Sequence, residues 1–196
     1  MNRIITAEIL GERLTLETQP GLFSPEHVDY GTLAMLSIVH FEPGMKILDL
    51  GCGCGVVGVT AAKKCGQENV LMADVDPEAV KTAQKNAAAN GVPGVKAVCS
   101  DGFRNIDDAG FDLILSNPPY QTDFAVAKHF IEKGFNRLKV GGRMIMVTKR
   151  LDWYRNKLKA IFGGVRVSEV DGYYVFEAEK RSLQYANVLK ARRNQH

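Results

Sequence analysis

At 196 residues, 45% hydrophobic and 24% charged, the chain is long enough to bury about 70% of the surface it exposes when unfolded, as one soluble globular domain does. Its apolar runs fall short of the roughly 18 residues that cross a bilayer, which excludes a helical membrane span. The net charge of +3 conceals a division: residues 1–136 hold 11 Lys and Arg against 17 Asp and Glu, a net of −6, while residues 137–196 hold 14 against 5, a net of +9.

In chain order, Ile4–Leu10 and Arg13–Thr18 read as two short strands joined at Gly11-Glu12, a β extension ahead of the main pattern. Glu8 interrupts the first apolar stretch, so no secretory core is expected and the cytosol is the expected location. Val28–Val39 carries Leu33, Met35, Leu36 and Val39 at helical intervals. From Lys46–Leu50 onward strands and helices alternate. A helix follows a glycine loop to about Lys64, and Val70–Asp74 is a strand. Asp76 caps a helix that Pro77 starts and Asn90-Gly91 stops. Val95–Cys99 and Phe111–Ser116 are strands, Phe124–Leu138 is a helix, and Gly141-Gly142 precedes the strand Arg143–Thr148.

After the helix Leu151–Phe162, the strands Val165–Val170 and Tyr173–Glu179 meet at Asp171-Gly172, a turn that only antiparallel pairing accommodates. The expected architecture is α/β: a doubly wound, mostly parallel sheet ending in an antiparallel hairpin. It is expected as one catalytic unit, with residues 1–40 an N-terminal extension, 41–180 the core and 181–196 a basic tail. The four cysteines (52, 54, 65 and 99) and four histidines (27, 40, 129 and 196) show no paired zinc spacing, so no metal is expected, and in an intracellular chain with a core this large the cysteines need not form disulfides.

The glycine loop Asp49-Leu50-Gly51-Cys52-Gly53-Cys54-Gly55 follows a strand and opens a helix, where a backbone can approach a ligand closely. A G-x-G-x-x-G at Gly53, Gly55 and Gly58 is a weak dinucleotide signal. Two details oppose it. The glycines start too early after the strand, and Asp49 would repel a pyrophosphate. The same carboxylate suits the ammonium and sulfonium of S-adenosylmethionine. Asp74, ending the next strand, is placed to accept hydrogen bonds from both ribose hydroxyls. Asp101 is placed to accept from an adenine amino group, with Gly102 and Phe103 beside the ring; the alternative for Asp101 is an Asx turn.

Ser116-Asn117-Pro118-Pro119-Tyr120 follows the fourth of these strands. Its prolines fix the backbone, so the Asn117 side-chain oxygen and the Pro118 carbonyl can accept both hydrogens of an NH2 group, while Tyr120 offers a stacking face. With this motif in place, the chain resembles the class I S-adenosylmethionine-dependent methyltransferases with an N-P-P-aromatic signature. Gly21-Leu22-Phe23-Ser24-Pro25-Glu26-His27-Val28-Asp29-Tyr30-Gly31-Thr32 is similar to the entry segment of the small-domain methyltransferases that modify guanine N2 of small-subunit ribosomal RNA.

The resemblance implies a Rossmann-like sheet of seven strands with the last inserted between the fifth and sixth. It implies direct methyl transfer to an exocyclic amine of RNA. By it, Thr32, Asp49, Gly51, Cys52, Gly53, Asp74, Val75, Asp101, Gly102 and Asn117 hold the cofactor, and Asn117, Pro118 and Tyr120 serve the reaction. A side-chain amide of protein glutamine or the N6 amine of adenine fits the same two acceptors, and a non-catalytic cofactor-binding module is a further alternative. Trp153, among Lys149, Arg150, Arg155 and Lys157, either stacks on RNA or packs against the protein, and packing is favoured because large aromatics are usually well buried. The tail beyond Lys180 is either a phosphate-binding arm or a soluble terminus.

Overall fold

A computed structural model describes residues 3–19, 27–119 and 124–193. The chain opens as an antiparallel ribbon, β1 (Arg3–Ile9) and β2 (Glu12–Thr18). The turn is Leu10-Gly11, one residue earlier than the sequence suggests, with both residues at positive φ as a twisted two-residue hairpin requires. Then come α1 (Tyr30–Ile38), β3 (Ile47–Leu50), α2 (Val56–Cys65), β4 (Val70–Asp74), α3 (Pro77–Ala89), β5 (Lys96–Cys99) and β6 (Phe111–Ser116). The chain ends with α4 (Phe124–Arg137), β7 (Leu138–Thr148), α5 (Leu151–Phe162), β8 (Arg166–Val170), β9 (Tyr173–Glu179) and α6 (Ala186–Arg193).

Seven strands form one sheet in the order β5-β4-β3-β6-β7-β9-β8. The first five of these are parallel, and β9 runs antiparallel between β7 and β8. Alternate residues of the central strands feed two cores. Ile47, Met72, Leu113 and Ile145 pack with Met35, Val59, Leu14 and Leu16 on the face of α1, α2, α3 and the N-terminal ribbon. Leu48, Leu71, Ile114 and Met144 pack with Phe130, Ile131, Phe135 and Leu158 on the face of α4 and α5. With both faces covered, the strands read as near-continuous apolar runs, interrupted by Asp49 in β3 and Asp112 in β6. Successive strands are added in one direction from β3 to β5 and in the other from β6 onward, and this switch between the parallel neighbours β3 and β6 opens a crevice at their carboxyl ends.

The ribbon is fastened to α3 by two side-chain amides one helical turn apart. Asn90 accepts from the Thr15 amide (2.9 Å) and donates to its carbonyl (2.8 Å). Asn86 does the same for Glu17 (2.7 and 2.9 Å) and also donates to the Cys54 carbonyl (2.8 Å). The two asparagines thus replace a neighbouring strand along the β2 edge, and Asn86 ties that edge to the glycine loop.

Two stretches differ from the sequence expectation. Strand β7 starts at Leu138 rather than Arg143, because Gly141 (φ 86°) makes a bulge instead of ending the pairing. A Cβ at Gly142 would lie 2.6 Å from the Phe111 carbonyl, so this close approach needs glycine. The basic tail carries a helix, α6. Just before it, the Tyr185 ring meets Phe135 edge-on at 5.0 Å and its hydroxyl donates to the Glu132 carbonyl at 3.0 Å, anchoring the segment to α4. Among the described residues no helix is long and apolar enough to cross a membrane.

Candidate active site

The crevice holds a pocket of about 410 Å³ above the carboxyl ends of β3, β4 and β6. Thr32, Asp49, Gly51, Cys52, Gly53, Asp74, Val75, Asp101, Gly102, Asn117 and Pro118 all line it, so the sequence-predicted residues converge. Tyr120, the Gly21–Glu26 part of the entry segment and residues 121–123 lie outside the described residues. Phe103 does not line the pocket but turns into the core against α4, and the ring that does line it is Phe130. Ile5 of the ribbon contributes a wall that sequence reasoning missed.

The loop is built on hydrogen bonds to its own surroundings. The amides of Gly51 and Cys52 both donate to the Ala73 carbonyl (2.8 and 2.9 Å), and the Gly53 amide donates to an Asp74 carboxylate oxygen (2.9 Å). The other Asp74 oxygen accepts from the Asp76 amide (3.0 Å), so Asp74 shapes the loop as well as facing the pocket. Asp76 accepts from the Glu78 amide (2.9 Å), which makes it the cap of α3. Gly58 brings α2 against β4: a Cβ there would lie 2.4 Å from Met72.

Asp49 is 2% exposed and accepts from the Gly58 amide at 2.8 Å. Burial pushes its carboxyl up to about 7; the Gly58 bond opposes this and the negative charge of Asp74 reinforces it. Burial also holds the thiols of Cys52 and Cys54 protonated, the latter pushed up to about 11, so neither is a nucleophile at neutral pH. Val75 is an apolar side chain left 64% exposed at the pocket wall, a surface suited to a planar ligand face. The Asp101 carboxylate stands at the rim and pairs with Arg104 at 3.2 Å, while Ser100 closes the following turn by accepting from the Asn105 amide (3.0 Å). Among the described residues no group of His, Cys, Asp or Glu is arranged to hold a metal.

At the other end of the pocket, the Asn117 side-chain amide donates to Asp29 Oδ2 at 2.7 Å and to Thr32 Oγ1 at 3.1 Å. The same Asp29 oxygen caps α1 by accepting from the Thr32 amide at 2.8 Å. Because a carboxylate only accepts, the NH2 end of Asn117 must face Asp29, and the Oδ1 end is turned the other way. Sequence reasoning gave Thr32 to the cofactor and missed Asp29. The sequence signal was the Asp-x-x-Thr cap spacing, but the partner lies 88 residues away. The site therefore has a carboxylate-rich half around β3 and β4 and a rigid acceptor at the end of β6.

Comparison with known proteins places this geometry in context. The model of the methyltransferase small domain matches residues 13–177. Ribosomal RNA small subunit methyltransferase C of Hahella chejuensis is 36% identical over 160 residues, covering 80% of this chain and 46% of that protein. YbxB of Bacillus subtilis is 34% identical over 173 residues, covering 85% of this chain and 86% of that one. Among solved structures, the T. thermophilus 16S rRNA N2 G1207 methyltransferase (RsmC), in complex with AdoMet and guanosine, superposes with a TM-score of 0.83 at 30% identity, over 92% of this chain and 51% of that chain. The chain spans about half the length of the methyltransferase C relatives it matches. With the family model matching residues 13–177 and a relative 34% identical over 85% of the chain, this chain belongs to the methyltransferase small domain family.

Proposed function

We propose that the chain is an S-adenosylmethionine-dependent N-methyltransferase that methylates guanine N2 of small-subunit ribosomal RNA in the cytoplasm, acting as a single catalytic unit. The observation that carries this reading is the Asn117 amide, held by Asp29 and Thr32 so that Oδ1 and the Pro118 carbonyl are the acceptors for an incoming NH2 group. The names of the methyltransferase C relatives and the guanosine of the RsmC complex support RNA guanine over glutamine or adenine.

The pocket fits the cofactor on its own chemistry. Three carboxylates, Asp49, Asp74 and Asp101, face a space that a dinucleotide would fill with pyrophosphate. The Gly53 amide, a natural phosphate donor, is already committed to Asp74. Asp49 pairs with no cation among the described residues, and a bound ammonium or sulfonium supplies one. When bound, S-adenosylmethionine supplies an electrophilic methyl group on a positively charged sulfur. Asp74 and Asp101 would hold its ribose and adenine, and Val75 would cover one face of the ring.

An exocyclic amine is a poor nucleophile because its lone pair is delocalised into the base. Accepting both its hydrogens at Asn117 Oδ1 and the Pro118 carbonyl favours a pyramidal nitrogen and stabilises the positive charge that develops there. With the cofactor bound, Asn117 Oδ1 and the Pro118 carbonyl would hold the nitrogen in line with the methyl carbon; the sulfur would keep the carbon–sulfur bonding pair and one amine proton would pass to solvent.

Calorimetry tests the cofactor assignment: S-adenosylmethionine binds and NAD does not, and preferential NAD binding overturns it. The pH dependence has a defined sign. Without ligand Asp49 is protonated below about 7, whereas a cationic ligand favours its ionised form. Cofactor affinity therefore rises with pH and is about tenfold weaker at pH 6 than at pH 8. The Asp49→Asn variant loses this dependence.

A further inference from the structure

The sheet order turns the charge division of the sequence into a spatial one. Asp49, Asp74 and Asp101 lie over β3, β4 and β5, whereas Lys149 and Arg150 leave the carboxyl end of β7. Ser116 of β6 pairs with Met146 of β7, so Asn117-Pro118 and Lys149-Arg150 both follow the carboxyl ends of neighbouring parallel strands.

Both cations are exposed, and among the described residues neither has a carboxylate partner. The nearest acid in sequence, Asp152, is taken by Arg155 at 2.7 Å. Both are instead seated on aromatic rings. The Arg150 guanidinium lies 5.0 Å over Phe124, which itself stacks on Trp153 at 4.3 Å and 13°. The Lys149 ammonium lies 4.7 Å over Tyr173. Phe124 begins α4, whose Val126 and Phe130 line the pocket. Trp153 therefore packs, and its role is to brace Phe124 under Arg150.

A ring beneath a guanidinium occupies its face and leaves its in-plane N–H donors outward, which is the geometry that grips a phosphate. The same seating restricts two long side chains that would otherwise lose rotamer freedom on binding. A pre-oriented cation pair with no carboxylate partner among the described residues, at the strand end next to the acceptor of a base amine, stands where the backbone of a strand carrying that base would pass. We propose that Lys149 and Arg150, on their rings, are the docking point for the RNA phosphates flanking the target nucleotide. This rests on the RNA reading above.

The test is binding of a single-stranded guanosine-containing RNA oligonucleotide, with S-adenosylhomocysteine present, across 50 to about 300 mM salt. The Lys149→Gln/Arg150→Gln protein is expected to bind about tenfold more weakly at the lowest salt. Its plot of log affinity against log salt is expected to be shallower by about 1.4, since each single-strand phosphate contact contributes ~0.7. Lys159→Gln, an exposed cation at the far end of the same helix, controls for loss of charge alone. Unchanged S-adenosylmethionine affinity in each variant shows that the fold is intact. A double variant with the parent's slope and affinity overturns the docking point and leaves the RNA reading standing. So does a loss in Lys159→Gln as large per charge. A parent protein that binds S-adenosylmethionine but shows no salt-dependent RNA binding overturns both.

Discussion

Asn117→Ala is expected to lower kcat by about 10²- to 10³-fold while S-adenosylmethionine affinity stays within about threefold, because the amide acts on charge that develops only during transfer. Single-turnover methylation and calorimetry on the same preparation separate the two effects. Asn117→Asp is expected to be no better, although it keeps the side-chain shape. Its second carboxylate oxygen would replace an NH2 that sits 2.7 Å from Asp29, and like charges at that distance expel one another. A parent-like kcat in Asn117→Ala would remove the acceptor from the mechanism.

The second large effect is expected at Asp29, which performs two tasks with one oxygen: it caps α1 and it turns the Asn117 amide. Asp29→Ala loses both, and is expected to cost about 1 kcal/mol of stability together with a 10- to 100-fold loss of kcat. Asp29→Ser separates the tasks. Serine is a good cap, so stability is expected within about 0.5 kcal/mol of the parent, but it is too short to reach Asn117 and kcat still falls. Asp29→Asn keeps an oxygen that can accept from both donors and is expected to restore most of the rate. If Asp29→Ser recovers activity along with stability, Asp29 is only a cap. Thr32, 3.1 Å from the same amide, is the weaker of the two anchors.

These two residues also mark where the sequence stops being informative. The parallel strands were legible because burial on both faces leaves runs such as Ile47–Leu50 and Phe111–Ser116, and glycines stand where they end. The pocket's carboxylates were legible because Asp49, Asp74 and Asp101 sit at or just beyond strand ends, where a doubly wound sheet must open its crevice. What was not legible depends on contacts between distant segments. Asp29 meets Asn117 only because α1 packs against the sheet beside β6. Asn86 and Asn90 look like ordinary helix surface and stop residues, yet they hold the β2 edge, and Asn86 reaches the glycine loop. The helix Ala186–Arg193 has little apolar character of its own and is fixed by Tyr185 against α4, an interaction that no local pattern announces. Gly141-Gly142, which by sequence precede the strand, instead lie within it and supply the bulge that lets β7 start early. For Trp153 the sequence context favours packing over stacking on RNA, and its stack on Phe124 is the packing contact.

The charge division carries a similar lesson. A net of −6 over residues 1–136 and +9 over residues 137–196 gives a contrast without a location. The strand order supplies the location: carboxylates on one side of Asn117, ring-seated cations on the other. On the proposed reading, a cationic cofactor and a polyanionic substrate would meet from opposite sides of the residue that orients the amine.

The most direct test of this account is to incubate the protein with methyl-labelled S-adenosylmethionine and small ribosomal subunits, naked ribosomal RNA, or total protein, and then to digest and separate the products. Label is expected in N2-methylguanosine from RNA and is expected to be lost in Asn117→Ala. Label in N6-methyladenosine or in protein glutamine would contradict it.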